Sequence, residues 1–155
     1  MAVEIGTDEG VSAAYIARAI AAEGMLHCVD PWIEIRGTTN PSWCIAMRHL
    51  RRTRVMAKIN IHRDFSQNVL DAIPAKLEFA FIDGDHSRKG IEIDWSWVAP
   101  RIEQGGIVCL HDSVTPASEP WRVLDSTRYF TEVIAQDPRF EVVETVHSLA
   151  VLRRR

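Results

Sequence analysis

The sequence predicts an α/β fold: a Rossmann-like, doubly wound and mostly parallel sheet with a C-terminal antiparallel hairpin, in one domain over residues 1–155. Three observations carry this reading. Short apolar runs alternate with stretches of helical periodicity along the whole chain. The first run, Val3-Glu4-Ile5, is followed by Gly6 and Gly10 and then by an Ala-rich stretch of high helix propensity. The last two runs, residues 140–146 and 149–152, are joined by His147-Ser148 alone, and so short a link demands antiparallel pairing.

Composition narrows the class. A chain of 155 residues with 46% hydrophobic and 25% charged residues is large enough to bury a sizeable core. The net charge of −3 argues against a general nucleic-acid binder. No apolar run is long enough to span a bilayer and no signal peptide precedes Val3, so we expect neither membrane association nor export. Cys28, Cys44 and Cys109 have no metal-ligand spacing, and an odd, unclustered set fits a reducing cytoplasm.

The elements follow in order. After the glycine turn, residues 12–22 form the first helix, and Met25-Leu26-His27-Cys28-Val29 the second strand, ending at Asp30. Residues 31–41 read as a loop. The stretch 41–52 reads as a helix with Pro41 near its start and Trp43, Met47 and Leu50 on one face. Arg48, Arg51, Arg52 and Arg54 form a basic cluster, read as a solvated helix face in preference to a patch for acidic ligands. Residues 55–61 are expected to be a third strand near an edge, and 67–73 a short helix stopped by Pro74. Phe79-Ala80-Phe81-Ile82 is apolar on both faces, as a central parallel strand must be. A helix over 90–101 directs Ile91, Trp95 and Val98 to the sheet, with Asp94 on another face. Gln104-Gly105-Gly106 turns into a fifth strand over 107–110, and residues 122–136 form the last helix. The closing Arg153-Arg154-Arg155 reads as a soluble tail.

Polar residues collect at the predicted strand ends: residues 6–10, Asp30, residues 64–66, 83–86 and 111–113. In an open parallel sheet the ligand lies beyond the carboxyl ends of the strands, so this clustering marks a functional site. Gly6 and Gly10 let backbone N–H groups approach a ligand at a helix N-terminus. Asp30, about 20 residues past the turn, is placed to accept hydrogen bonds from a ribose diol. An ordinary βαβ crossover with a capping carboxylate has the same local pattern. The turn is E-x-G-x-x-x-G, which departs from the dinucleotide fingerprint G-x-G-x-x-G.

Val3-Glu4-Ile5-Gly6, Asp30-Pro31-Trp32 and Phe81-Ile82-Asp83-Gly84-Asp85-His86-Ser87, with Asp94, Trp97, Gly105-Gly106 and His111-Asp112-Ser113, resemble the class I S-adenosylmethionine-dependent methyltransferases. The resemblance covers nearly the whole chain. It is closest to the small-molecule O-methyltransferase-like branch that pairs an IDGDHS strand end with a GGxxxxHDS strand end. It implies a class I methyltransferase fold and methyl transfer from S-adenosylmethionine to a hydroxyl of a small molecule such as a sugar or secondary metabolite. It also implies that Glu4, Gly6 and Gly10, with Ser12, shape the loop beneath the cofactor. Asp30 would hold the ribose, Trp32 would flank the adenine, and Asp64, Phe65 and Ser66 would border it; Asp83 would lie near the methyl group.

Two departures stand out. Arg88 and Lys89 replace the residues that usually follow the His-Ser pair, and the N-terminal cap helices of the family are missing. A homo-oligomer, most simply a dimer, would supply such a roof. For chemistry, one route uses Asp83 and Asp112 to bind Mg²⁺, which would lower the acceptor pKa. The other uses His86 or His111 as the general base. The catalytic candidates are therefore Asp83, His86, His111 and Asp112. Two further readings compete: an NAD-binding Rossmann oxidoreductase, and a non-catalytic assembly module of the same fold, for which five tryptophans would suit an interface.

Overall fold

The computed structural model describes residues 1–155, residue 70 by its backbone alone. The chain forms two compact units, Met1–Pro74 and Ala75–Arg155.

In the first unit the order is β1 (Ala2–Ile5), α1 (Val11–Ala19), β2 (Leu26–Val29), α2 (Pro41–Arg52), a 3-10 turn (Met56–Lys58), β3 (Ile59–His62), α3 (Ser66–Val69) and a second 3-10 turn (Leu70–Ala72). β2 lies between β1 and β3 and is parallel to both, with Glu4 opposite Cys28 and Val29 opposite His62. Every residue of β1 and β2 is buried, as expected of strands covered on both faces. α1 buries Ala13, Ala14 and Ala17, and α2 buries Ala46, Met47 and Leu50. Small residues let the two helices approach closely. A Cβ added at Gly10 would stand 3.3 Å from Cγ of Leu50, and Gly10 holds a left-handed φ of 75° as it starts α1.

The expected third strand is shorter than its apolar run. Val55 is buried but closes the end of α2, its N–H reaching the Leu50 carbonyl at 3.3 Å, and the strand starts only at Ile59. Lys58 ends a 3-10 turn and donates from Nζ to the carbonyls of Ile20 and Ala21 at 3.0 and 3.1 Å. A cation there satisfies carbonyls beyond the end of α1. That helix stops at Ala19, three residues before the expected end, because Ile20 turns extended. Arg48, Arg51, Arg52 and Arg54 are exposed, and the first three line grooves along α2.

The second unit contains β4 (Leu77–Ile82), α4 (Arg88–Val98), β5 (Ile102–Leu110), α5 (Asp125–Glu132), a 3-10 turn (Ile134–Gln136), β6 (Phe140–Val146) and β7 (Leu149–Arg154). Its strand order is β4-β5-β7-β6, with β4 and β5 parallel and the last hairpin antiparallel. His147 makes the two-residue link possible by adopting a left-handed φ of 54°. β6 pairs with β7 alone, and its ladder slips between Val142 and Glu144. Ile91, Trp95 and Val98 of α4 are buried as expected, and Asp94 is buried with them, contrary to the separate face expected for it.

β5 begins at Ile102, five residues earlier than expected, and runs through Gly105-Gly106 with a register shift against β4. A Cβ at Gly106 would meet Ile102 Cγ2 at 2.8 Å and two backbone oxygens at about that distance, so the irregular strand needs glycine there. The closing arginines correct the reading of a free tail. Arg153 and Arg154 belong to β7, and Arg154 donates to the Ala99 carbonyl while its guanidinium lies 5.6 Å from the Phe140 ring. The arginine stems cover apolar surface while their heads find acceptors.

Candidate active site

Each unit carries a polar cluster at its strand ends. In the first unit, Gly6 follows β1 with a left-handed φ of 87°, and its N–H bonds the Val29 carbonyl at 2.8 Å. Gly10 N–H bonds back to the Thr7 carbonyl at 2.8 Å, closing the turn into α1, where Ser12 is half-buried in the first turn. Glu4 is fully buried beside Cys28, whose thiol is pushed well up by burial and then by the Glu4 charge.

Asp30 leaves β2 and organises the loop above it. Oδ2 accepts from the Asp8 N–H at 2.9 Å and Oδ1 from the Trp32 N–H at 2.8 Å, while Trp32 Nε1 donates to the Asp8 carbonyl at 2.8 Å. The carboxylate thus ties the glycine turn to the loop after β2, the capping role that competes with ribose binding; each oxygen keeps a lone pair for a further donor. Trp32 is 1% exposed, and its ring meets Trp43 edge-on at 4.8 Å, so it sits in the core with no open face. Asp64 accepts from the Phe65 N–H and from Asn68 Nδ2 at 2.7 and 2.8 Å, just ahead of α3; Phe65 is exposed and Ser66 half-buried.

In the second unit the motif after β4 divides by role. Asp85 accepts from the Ser87 N–H at 2.9 Å and from its hydroxyl at 2.7 Å, and Ser87 Oγ accepts from Gly90 N–H at 3.1 Å. This is the N-cap of α4, and those bonds hold the Asp85 carboxyl below its ordinary range. Asp83 and His86 remain for other work.

They meet the residues that end β5. His111 Nδ1 lies 3.0 Å from Asp83 Oδ1 and 3.7 Å from Asp112 Oδ1; His86 Nε2 lies 3.8 Å from Asp83 Oδ1 and 3.6 Å from Asp112 Oδ2. Burial pushes the Asp83 carboxyl up, and the two imidazoles oppose it. Asp112 is buried with a left-handed φ of 48°. Its carbonyl accepts from Ser126 Oγ at 2.7 Å, and Arg122 Nη2 donates to its Oδ2 at 2.7 Å. Ser113 is fully buried and donates to the His111 carbonyl at 3.2 Å. The structure therefore brings Asp83, His86, His111 and Asp112 into one cluster, and adds Arg122, whose position ten residues further on gave no signal in the sequence.

Among curated proteins the sequence finds no match. Solved structures match it over nearly its full length. An O-methyltransferase from Bacillus cereus in complex with SAH is 20% identical with a TM-score of 0.77, covering 99% of this chain and 73% of that one. The O-methyltransferase TomG from Streptomyces achromogenes, involved in tomaymycin synthesis and in complex with SAM, is 20% identical with a TM-score of 0.76, covering 99% and 72%. Both show that the fold is the mostly parallel α/β sheet with antiparallel terminal hairpin expected of class I methyltransferases. The family model described as "Methyltransferase domain" matches residues 3–113, from the start of β1 through the His-Asp-Ser end of β5. With that match over most of its length, the chain belongs to the methyltransferase domain family.

Proposed function

We propose that this protein is an S-adenosylmethionine-dependent O-methyltransferase acting on a small hydroxylated molecule. Family membership supports methyl transfer, and S-adenosyl ligands accompany both related structures named above. The observation that carries the O-methyl reading is the carboxylate–imidazole cluster of Asp83, His86, His111 and Asp112, which is the equipment needed to take a proton from a hydroxyl.

The cofactor-binding residues in this reading are Glu4, Gly6, Gly10, Ser12, Asp30, Trp32, Asp64, Phe65, Ser66 and Asp83. Gly6 and Gly10 give close backbone approach, and the spare lone pairs of Asp30 serve the ribose. Trp32 acts by holding the loop through its indole N–H rather than by stacking on a ligand. Transfer is an in-line displacement: the acceptor oxygen bonds the methyl carbon as the carbon–sulfur bond breaks, leaving a neutral thioether. His111 takes the hydroxyl proton, and Asp83, 3.0 Å from its Nδ1, stabilises the imidazolium that forms. His86 and Asp112 make the second such pair.

Mg²⁺ does not fit this donor set. It demands a near-octahedral oxygen shell, whereas half of these groups offer nitrogen and the Arg122 guanidinium engages Asp112. The Ser113 hydroxyl is directed to the His111 carbonyl.

The test is thermal shift and calorimetry with S-adenosylhomocysteine against NAD, followed by methyl transfer to a panel of phenolic and sugar hydroxyls. Stabilisation by S-adenosylhomocysteine is expected. Stabilisation by NAD alone would replace this reading with an oxidoreductase, and a response to neither would favour an assembly module.

A further inference from the structure

The same four side chains have the geometry of a metal centre of another kind. Asp83, His86 and His111 each present one ligand atom, all within 4.8 Å of one another. Donors around a single ion at about 2.1 Å stand about 3.0 to 3.4 Å apart, in octahedral and tetrahedral arrangements respectively. The separation of 3.0 Å between His111 Nδ1 and Asp83 Oδ1 is already in that range, while that of 3.8 Å between His86 Nε2 and Asp83 Oδ1 has to shorten and the two imidazoles have to close from within 4.8 Å.

A second observation points to an ion. His111 Nδ1 and Asp112 Oδ1 are both sealed from solvent, and neither has a hydrogen-bond partner among the described residues. Asp83 Oδ1 faces His111 Nδ1 across the cluster at 3.0 Å. Asp112, only 6% exposed through its side chain, faces the same space from 3.7 Å. The three ligands themselves are 31 to 41% exposed, which gives an ion a way in and leaves coordination positions open.

We propose that Asp83, His86 and His111 bind a divalent transition-metal ion, with zinc the best fit. Two imidazoles and one carboxylate suit borderline metals such as Zn²⁺, Co²⁺ or Mn²⁺ and discriminate against Mg²⁺. Asp112 supports the site from behind, held by Arg122. The binding depends only on this cluster. Its consequence for catalysis rests on the methyltransferase reading: a neutral imidazole ligated through Nδ1 carries its proton on Nε2 and cannot serve as a base. Loading with zinc therefore inhibits transfer, and chelation relieves the inhibition.

The experiment is calorimetry of the chelator-stripped full chain with Zn²⁺, Co²⁺ and Mg²⁺, without cofactor, on the native protein and on His86→Ala, His111→Ala and His62→Gln. Cobalt-induced visible absorption serves as a second readout. We expect one zinc per chain, affinity for Mg²⁺ at least a hundredfold weaker, and at least a tenfold loss of zinc affinity in each of the first two variants with none in the third. Should either histidine variant unfold, Asp83→Asn is expected to show the same loss. Zinc affinity unchanged in His86→Ala and His111→Ala, or Mg²⁺ bound as tightly as zinc, overturns the proposal. S-adenosylhomocysteine titrated separately distinguishes the two readings: zinc binding without cofactor binding defeats only the methyltransferase, and cofactor binding without zinc binding defeats only the metal site.

Discussion

Arg122 Nη2 lies 2.7 Å from Oδ2 of Asp112, a buried carboxylate on a left-handed stretch of backbone. The guanidinium comes from the loop before α5, so this one contact fixes that loop to the end of β5. Arg122→Met removes the cation and leaves the carboxylate facing two imidazoles. Because Arg122 is itself partly exposed, the expected loss of stability is about 1–2 kcal/mol. Urea denaturation of the variant checks this.

Asp30 allows its two roles to be separated. Asp30→Ala removes the acceptors for the Asp8 and Trp32 amides and is expected to cost at least about 1 kcal/mol in S-adenosylhomocysteine binding. Asp30→Asn keeps one oxygen for the loop but loses the charge. If the carboxylate holds the ribose, calorimetry shows weakened binding in both variants; if it only shapes the loop, Asn restores most of the affinity.

His111→Gln is expected to lower kcat by about 10²- to 10⁴-fold, with S-adenosylhomocysteine affinity unchanged. Turnover of the native enzyme is expected to survive EDTA. Loss of activity in EDTA would show that a metal is required and would displace His111 as the base.

Stability should depend on pH through His27 and His62, whose rings stack with Nδ1 of His27 2.9 Å from Nε2 of His62. Burial lowers both below the ordinary 6.5, and for His27 the neighbouring His62 and the N-terminal amine lower it further. The unfolded chain then takes up protons near 6.5 while the native pair resists them. The stabilisation is complete above that value and is lost as pH falls below it. Urea midpoints at pH 8 and 5.5 should differ accordingly, and His62→Gln should reduce the difference.

Gly90→Ala tests the packing behind the Asp-His-Ser turn. Its Cβ would lie 2.5 Å from the Asp85 carbonyl oxygen, a backbone atom that cannot swing aside. A cost of about 1–3 kcal/mol is expected, read as a melting temperature lowered by several degrees.

Much of this molecule was legible in the sequence where the signal is local. Short, mostly apolar runs marked β1, β2 and β4, and a two-residue link could only be a hairpin. Polar residues gathered at strand ends identified the cluster of Asp83, His86, His111 and Asp112. Reading failed where one residue type serves two purposes. Val55 is apolar because it plugs a helix end, so it extended β3 falsely. Arg153 and Arg154 are charged yet pair in β7. Asp85 and Ser87 stand in the same motif as Asp83 and His86, yet they cap α4. Contacts between distant positions had no sequence trace: Arg122 with Asp112 across a loop, and His27 with His62 through the register of two parallel strands.

The slip in β6 bears on how the protein behaves when concentrated. Val142, Val143 and Val146 stand exposed on a strand with a neighbour on one side only, the kind of border that recruits stray chains into fibrils. The irregularity between Val142 and Glu144 breaks the row of backbone groups in the middle, and the glutamates at 141 and 144 add repulsion. A foreign strand can grip only a few residues before it meets the kink, so this border does not act as a template.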